Sequence, residues 1–309
     1  MQNFVGMKRC RTKSEQIKRR EKTISFIILL AVCIIWSIPF VYMIGTSFKS
    51  DLDLQVHPER FFPSSGEWTL KHYTGFLINN GEIDNLPIWM LNSIWSATVS
   101  VGLTVIVDLI TAYALVFLKF KGKKPIVTFL LLWMTVPWVI GIAPQFSIYS
   151  TIRNSLQLQS NPTLLYFYIY AWLILPGVSG IFNMLLMRTF FLSIPKEIVE
   201  SARSDGASHM LIFRKIVCPL AKSTIMIIVL FVFVGSWNNL VFPQLLLTGE
   251  NFAWRTITLA LTAYTGGNGW DATGVAMATC VFSMIPVFIV FAITQNKMID
   301  GMASTGVKG

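Results

Sequence analysis

Apolar residues along this chain fall into long unbroken runs, and polar residues gather between them. Six runs stand out, over residues 24–47, 93–118, 125–150, 164–187, 223–247 and 272–295. Each is long enough to cross a bilayer, which takes roughly 20 helical residues. A bilayer admits only helices or closed barrels, because its interior offers backbone groups no water. The runs are continuous and not alternating, so they predict helices. The expected fold class is an all-α polytopic membrane protein with six transmembrane helices. Composition agrees: 13% of the 309 residues are charged and the mean hydropathy is +0.61, whereas a soluble domain carries about 25% charge.

The pattern divides the chain into a basic tail (1–23), a first span (24–47), a polar segment (48–92), a five-span core (93–295) and a C-terminal tail (296–309). Lys and Arg then set the orientation, since short cytoplasmic loops hold the excess of basic residues. Eight lie in the N-terminal tail, four at 119–124, six at 188–222 and two in the C-terminal tail. Only Lys49, Arg60, Lys71, Arg153 and Arg255 fall on the other side. Both termini are therefore expected in the cytoplasm, in a multi-pass protein of the cell membrane.

The net charge of +10 is this topological bias. Basic residues hug helix ends without interleaved aromatic platforms, so no nucleic-acid partner is expected. The N-terminal basic tail is expected to touch anionic membrane lipid. Its following run is too long for a cleavable signal. Cys10, Cys33, Cys218 and Cys280 show no metal-ligand spacing, so neither a zinc site nor a disulfide framework is expected.

The connections expected outside the cell are uneven. Segment 48–92 carries Asp51, Asp53, Glu59, Glu67, Glu82 and Asp84, and its Pro58, Pro63, Gly66, Gly75, Gly81 and Pro87 argue against one long helix. Connection 248–271 mixes glycine with Trp254, Tyr264 and Trp270, which suits a contact-making loop as well as an ordinary turn.

Residues 194–222 are the most informative stretch. A joining loop needs a handful of residues, yet here a charged segment is spent on two short helices broken at Gly206. Ser193 is a plausible N-cap, Pro195 fits the first turn, and Glu197 and Glu200 suit the positive helix end. Ile198, Val199 and Ala202 form one face. Gly206 supplies a left-handed residue. Ser208 can cap the next helix, whose Ile212, Phe213 and Ile216 form an apolar stripe before Pro219 ends or kinks it. Such a segment predicts a docking knuckle for a soluble partner; a plain linker is the competing reading.

The spacing Glu200-Ser201-Ala202, three residues, Gly206, nine residues, Ile216-x-Cys218-Pro219 resembles the signature of ABC importer permeases. Ser201 and Cys218 replace the usual Ala and Leu. Asp205-Gly206-Ala207 also matches. Ala112-Tyr113-Ala114, Trp237-Asn238-Asn239 with Pro243, Ile285-Pro286-Val287 with Gln295, and the glycine-rich ending 301–309 are similar to the carbohydrate class, closest to the G-type maltose-like subunit.

The resemblance implies a type I importer permease architecture. It implies pairing with a second permease subunit as a heterodimer, a cytoplasmic ABC ATPase dimer that holds ATP and Mg, and an extracytoplasmic solute-binding protein. This chain would bind no cofactor and would not be an enzyme. Glu200, Ala202, Asp205, Gly206, Ala207, Phe213, Ile216 and Pro219 would couple it to the ATPase. The tail 301–309 would reach the ATPase interface, and 248–271 would face the binding protein. The function implied is uptake of a sugar or oligosaccharide by alternating access.

The residues themselves add that the chain has no G-x-x-x-x-G-K-[ST] loop, so ATP energy must arrive through a protein contact. Sugar hydroxyls need replacement hydrogen bonds in hydrocarbon. Gln145, Asn183, Asn238 and Asn239 are candidate amides along a path, and Trp133, Trp138 and Trp237 candidate stacking rings; interhelical bonding and packing are the competing roles. Pro137, Pro144, Pro176 with Gly177, and Pro286 mark candidate gating kinks, with passive bends locked by neighbouring helices the competing reading. Asp108 is the only acid within a predicted span, with Thr104 and Thr111 near it on the helix; a subunit-interface or cavity hydrogen-bond role is expected. An ion- or proton-coupled secondary carrier is the alternative function, but it calls for paired intramembrane charges and repeats that the sequence lacks. A lipid-modifying enzyme would need a cluster of His and acids, and His57, His72 and His209 are scattered.

Overall fold

The computed structural model describes residues 13–74, 86–178, 180–265 and 270–306. Its helices are α1 (Lys13–Ser47), α2 (Asp51–Val56), α3 (Lys71–Thr74), α4 (Leu86–Phe117), α5 (Lys123–Trp133), α6 (Ile142–Ser155), α7 (Pro162–Ile174), α8 (Ile181–Ser193), α9 (Lys196–Ser204), α10 (His209–Ile212), α11 (Cys218–Leu220), α12 (Lys222–Trp237), α13 (Val241–Leu247), α14 (Ile257–Thr265) and α15 (Trp270–Gly306). Among the described residues the only β pairing is a bridge between Lys49 and Trp68. The chain is thus nearly all helical, as its apolar runs predict.

Three stretches are long and apolar enough to cross a membrane unbroken: Arg20–Ser47, Leu86–Phe117 and Thr273–Met298. Pro39 and Pro286 sit inside α1 and α15 without ending them. The other three predicted spans are broken, which the smooth apolar pattern does not reveal. The 125–150 run bends by 93° between Lys123–Trp133 and Trp138–Ser155. Pro137 lies in that break, where it offers no N–H and disfavours helix in the residue before it. The 164–187 run breaks between Pro162–Gly177 and Ile181–Ser193, at the Pro176-Gly177 pair.

The 223–247 run stops at Trp237 after 16 residues. That is about 24 Å of helix at 1.5 Å per residue, short of a hydrocarbon core of about 30 Å. The helix resumes only at Val241, with Pro243 tolerated in the first turn of α13. The C-terminal tail is not a separate element either, since α15 continues through Gly306; residues 307–309 of the expected glycine-rich tail lie outside the described residues.

Two compact units emerge, one of Met1–His72 with Gly269–Val281 and one of Tyr73–Asn268 with Phe282–Gly309. In the first, the apolar residues of α1 face outward, with Trp36 72% exposed. The turn after α1 is polar inside. Lys49 is fully buried and its Nζ donates to the carbonyls of His57 (2.9 Å) and Arg60 (2.6 Å). Asp53 accepts from the backbone N–H and Oγ of Ser64. These bonds satisfy groups that burial would otherwise penalise.

In the second unit, α4 packs against α8 and α12. Ala112, Met187, Phe191 and Ile228 are fully buried at the centre of that core. A further cluster joins Tyr149 of α6, Ile169 of α7, Leu247 of α13 and Leu259 of α14.

Candidate functional site

The knuckle begins where α8 ends. Ser193 does not cap α9; its Oγ donates back to the carbonyl of Phe190, and the cap position belongs to Pro195, which makes no side-chain bond. Helix α9 closes as the sequence predicts. Gly206 has φ +84°, the amide of Gly206 donates to the Arg203 carbonyl, and Ala207 N–H donates to the Ala202 carbonyl, each at 3.0 Å. These two bonds make the double closure of a Schellman turn. Ser208 Oγ then accepts from Leu211 N–H and caps α10.

Beyond Ile212 the backbone widens into a π turn over Phe213–Val217, where Cys218 N–H donates to the Phe213 carbonyl. Pro219 supplies the cause, because it has no N–H to extend the α ladder. The segment His209–Leu220 meets Lys222–Trp237 at 76°.

One side of the knuckle is bound to the core. Val199, Ile212 and Val217 are buried with Leu109, Phe191 and Ile194. The Tyr113 hydroxyl lies 3.1 Å from both Nδ1 and the backbone carbonyl of His209, and its ring meets Phe213 edge-on at 5.1 Å. Phe213 and Ile216, expected among the docking residues, are half-buried against this core, as are Ala202 and Ala207. Their apolar stripe is satisfied by the chain itself.

The outward side holds Glu200, Asp205, Gly206 and Pro219, all exposed. With them stand Ile198 (42% exposed), Met210 (63%), Leu211 (49%) and Leu220 (49%). Nothing in the sequence pattern marks Met210, Leu211 and Leu220 as outward residues. Ile198, Val199 and Ala202 do not share one face as expected, since Val199 points in and Ile198 out. The alternation between the two sides of a very short helix is too brief for a stripe to be read.

The candidate path residues cluster in an unexpected way: each broken span carries an amide at or just after its break. Gln145 lies in the first turns of α6, folded over Gly141, with Oε1 buried and without a partner among the described residues. Asn183 folds over Gly180 at the start of α8. Asn238 and Asn239 form the break after α12. Trp138 and Phe242 stand 6.4 Å apart, so the third-run and fifth-run breaks are neighbours; Phe182 and Phe231, 6.3 Å apart, join the start of α8 to α12. Irregular backbone at membrane depth is tolerated where protein covers it or where it lines a water-filled cavity.

Trp237 does not fit a stacking role in this conformation. It is 4% exposed and its ring stacks on Phe233 at 5.6 Å. Trp133 and Trp138 are exposed.

Asp108 is fully buried within the chain's own core, so it lies away from a subunit surface, one of the two places expected for it; a cavity hydrogen bond is the other. Among the described residues neither carboxylate oxygen has a hydrogen-bond partner, nor does Thr104 Oγ1 one turn away. Among the described residues there is no group of three or more His, Cys, Asp or Glu suited to a metal ion.

Connection 248–271 is more ordered than its glycines suggest over its described part, with a 3-10 turn at Phe252–Trp254 and then α14. Asn92 clamps it: Nδ2 donates to the carbonyls of Ala253 (2.9 Å) and Arg255 (3.0 Å), while Oδ1 accepts from the Tyr166 hydroxyl. Trp89 Nε1 adds a bond to the Phe252 carbonyl, and Arg153 pairs with Glu250. Residues 266–269 of this connection lie outside the described residues.

Residues 18–301 match the protein family described as binding-protein-dependent transport system inner membrane component. The chain belongs to this family. It is therefore a multi-pass inner-membrane permease component and not an enzyme. It is 29% identical over 273 residues to the permease protein DasC of a diacetylchitobiose uptake system in Streptomyces coelicolor, covering 88% of this chain and 91% of that one. It is 28% identical to UgpE, an sn-glycerol-3-phosphate transport system permease of Salmonella typhimurium, over 78% of this chain and 82% of the relative. The fold is that of a chain in the crystal structure of a bacterial ABC transporter involved in alginate import, with a TM-score of 0.71, 22% identity, and coverage of 93% and 98%.

Proposed function

We propose that this permease is one half of the membrane pathway of an ATP-driven importer for a sugar or oligosaccharide. It crosses the membrane six times, counting each broken helix pair and α12 with α13 as one crossing, with both termini in the cytoplasm. Its knuckle, 194–222, receives force from a separate ABC ATPase dimer that holds ATP and Mg. A second, different permease subunit completes the pathway, and an extracytoplasmic binding protein delivers the solute.

One observation carries the coupling reading: the knuckle is fastened on its inner side and offers an outer rim of Ile198, Met210, Leu211 and Leu220 around Glu200 and Asp205. Apolar side chains on a charged cytoplasmic segment suit a partner's cleft. A rigid seat lets movement of that partner reach α4, α8 and α12. Nucleotide-driven closure must favour one arrangement of the spans, because equal binding to both shifts nothing.

The carbohydrate reading is supported by relatives named for diacetylchitobiose uptake, and a relative named for sn-glycerol-3-phosphate extends the class to a phosphorylated polyol. Gln145, Asn183, Asn238 and Asn239 are the amides offered to solute hydroxyls at the three breaks. The test is reconstitution with co-purified partners. Glu200→Ala is expected to abolish ATP-dependent uptake while leaving the subunit inserted and the ATPase active. Parental uptake by Glu200→Ala, or uphill transport by this chain alone, would overturn the proposal.

A further inference from the structure

Where the first helix of the knuckle meets the ends of α4 and α8 lies a groove of about 290 Å³; of its lining residues the coupling reading uses only Glu200. Its walls are the end of α4, the turn 119–123, the end of α8 and helix α9. Its floor is apolar: Phe117 and Phe191, with rings 5.9 Å apart, and Ile194. Its rim is cationic, with Lys119, Lys123, Lys196 and Arg203 against a single acid, Glu200. Among the described residues none of these four cations is in an ion pair.

Lys123 is held at the lip, its Nζ donating to the Val116 carbonyl at 3.2 Å and standing 5.5 Å from the centre of the Phe120 ring. An ammonium has three N–H donors, so two remain for a ligand. Like charges gathered around one opening repel unless an anion joins them.

We propose that this groove holds the phosphodiester headgroup of an anionic phospholipid from the cytoplasmic leaflet. Two features favour lipid over a soluble anion. The groove sits where α4 and α8 both end, which is where spans leave the hydrocarbon. It also joins a cationic rim to an aromatic and aliphatic floor, matching a phosphate followed by glycerol and acyl carbons. A free phosphate has no use for the floor. The assignment takes this face as cytoplasmic, and it does not depend on what solute is carried. Because Glu200 and Arg203 line the groove, the bound headgroup would sit against the helix that meets the ATPase.

The test uses the assembled transporter, purified with its partner subunits and examined by native mass spectrometry. The probes are phosphatidylglycerol and phosphatidylcholine of equal chain length, and inorganic phosphate. This subunit should retain phosphatidylglycerol several-fold over phosphatidylcholine. The variant Lys119→Gln/Lys123→Gln should lower that retention at least fivefold. Lys121→Gln/Lys124→Gln, which removes the same charge from the same turn but not from the groove, should leave it unchanged. If the first variant fails to insert, Arg203→Gln on α9 serves in its place.

Equal retention of the two lipids overturns the proposal, as does equal loss in both double variants, which would mean a diffuse charged surface. Competition by millimolar phosphate would assign the groove to a soluble anion. Retention only after the ATPase is removed would make it part of the ATPase seat. Either result would also overturn the lipid assignment, while leaving the importer reading intact.

Discussion

Ala207 donates its backbone N–H to the carbonyl of Ala202 at 3.0 Å, wrapping the chain around Gly206 at φ +84°. Nothing lies within 4 Å of the place where a Cβ would sit on Gly206, so only the backbone angle demands glycine. Gly206→Ala should therefore cost about 1 kcal/mol of local stability and slow uptake partly. Gly206→Pro cannot adopt a positive φ and loses the N–H to Arg203. It should lower uptake tenfold or more with normal insertion, read as solute uptake against ATP hydrolysis in proteoliposomes. Parental uptake by the proline variant would remove the knuckle from coupling.

Tyr113 ties α4 to the knuckle through its hydroxyl and His209. Tyr113→Phe keeps the ring packing and removes that tie, at about 1 kcal/mol. Hydrolysis should continue with fewer solute molecules moved per ATP. An unchanged transport-to-hydrolysis ratio would show that the apolar packing alone holds the seat.

Asp108 is buried, and neither of its carboxylate oxygens has a hydrogen-bond partner among the described residues. An unpaired buried charge is costly, so a neutral residue of the same size should be tolerated. Asp108→Asn is expected to raise the thermal midpoint or leave it unchanged and to keep transport. Asp108→Lys should prevent stable folding. A folded but inactive Asp108→Asn protein would favour the ion-coupled alternative.

Asn92 fixes the turn before α14 with two donated bonds and one accepted from Tyr166. Asn92→Ala leaves buried groups without partners, a loss of about 1–3 kcal/mol. Hydrogen exchange should quicken at 251–257 and stay constant in α9. Unchanged exchange at 251–257 would place the restraint in the Trp89 and Arg153 contacts instead.

The turn after α1 should weaken in acid. Burial raises the pKa of Asp53, but the two bonds from Ser64 and the nearby Lys49 charge outweigh it, leaving the group below its ordinary value. A carboxyl lowered by folding stabilises fully above its unfolded value, about pH 4, and loses that contribution as pH falls through the folded one. Exchange at 50–64 should rise in that acid window, and Asp53→Asn should flatten the dependence. Identical profiles for parent and variant would assign the acid sensitivity to another group.

Much of this architecture was legible in the order of residues. Apolar runs marked where helices cross hydrocarbon, because unpaired backbone cannot remain there. Gly206 and Ser208 marked the knuckle's turn and cap, because those geometries depend on one residue's own φ or one side chain reaching a few positions ahead. Helix breaks were half legible: Pro137 and Pro176 were visible, the break at Asn238-Asn239 was not, and a proline can also sit inside a continuous helix, as Pro39 and Pro286 do.

The sequence by itself determined a helical, membrane-crossing permease with a bent segment before its fifth apolar run. Only the tertiary structure decided that Phe213 and Ile216 turn inward while Met210, Leu211 and Leu220 stand outward, that Trp237 is covered, and that Asp108 lies in the core. The physical reason is that local conformation follows from residues a few positions apart, while which face is covered depends on surfaces brought together from distant parts of the chain.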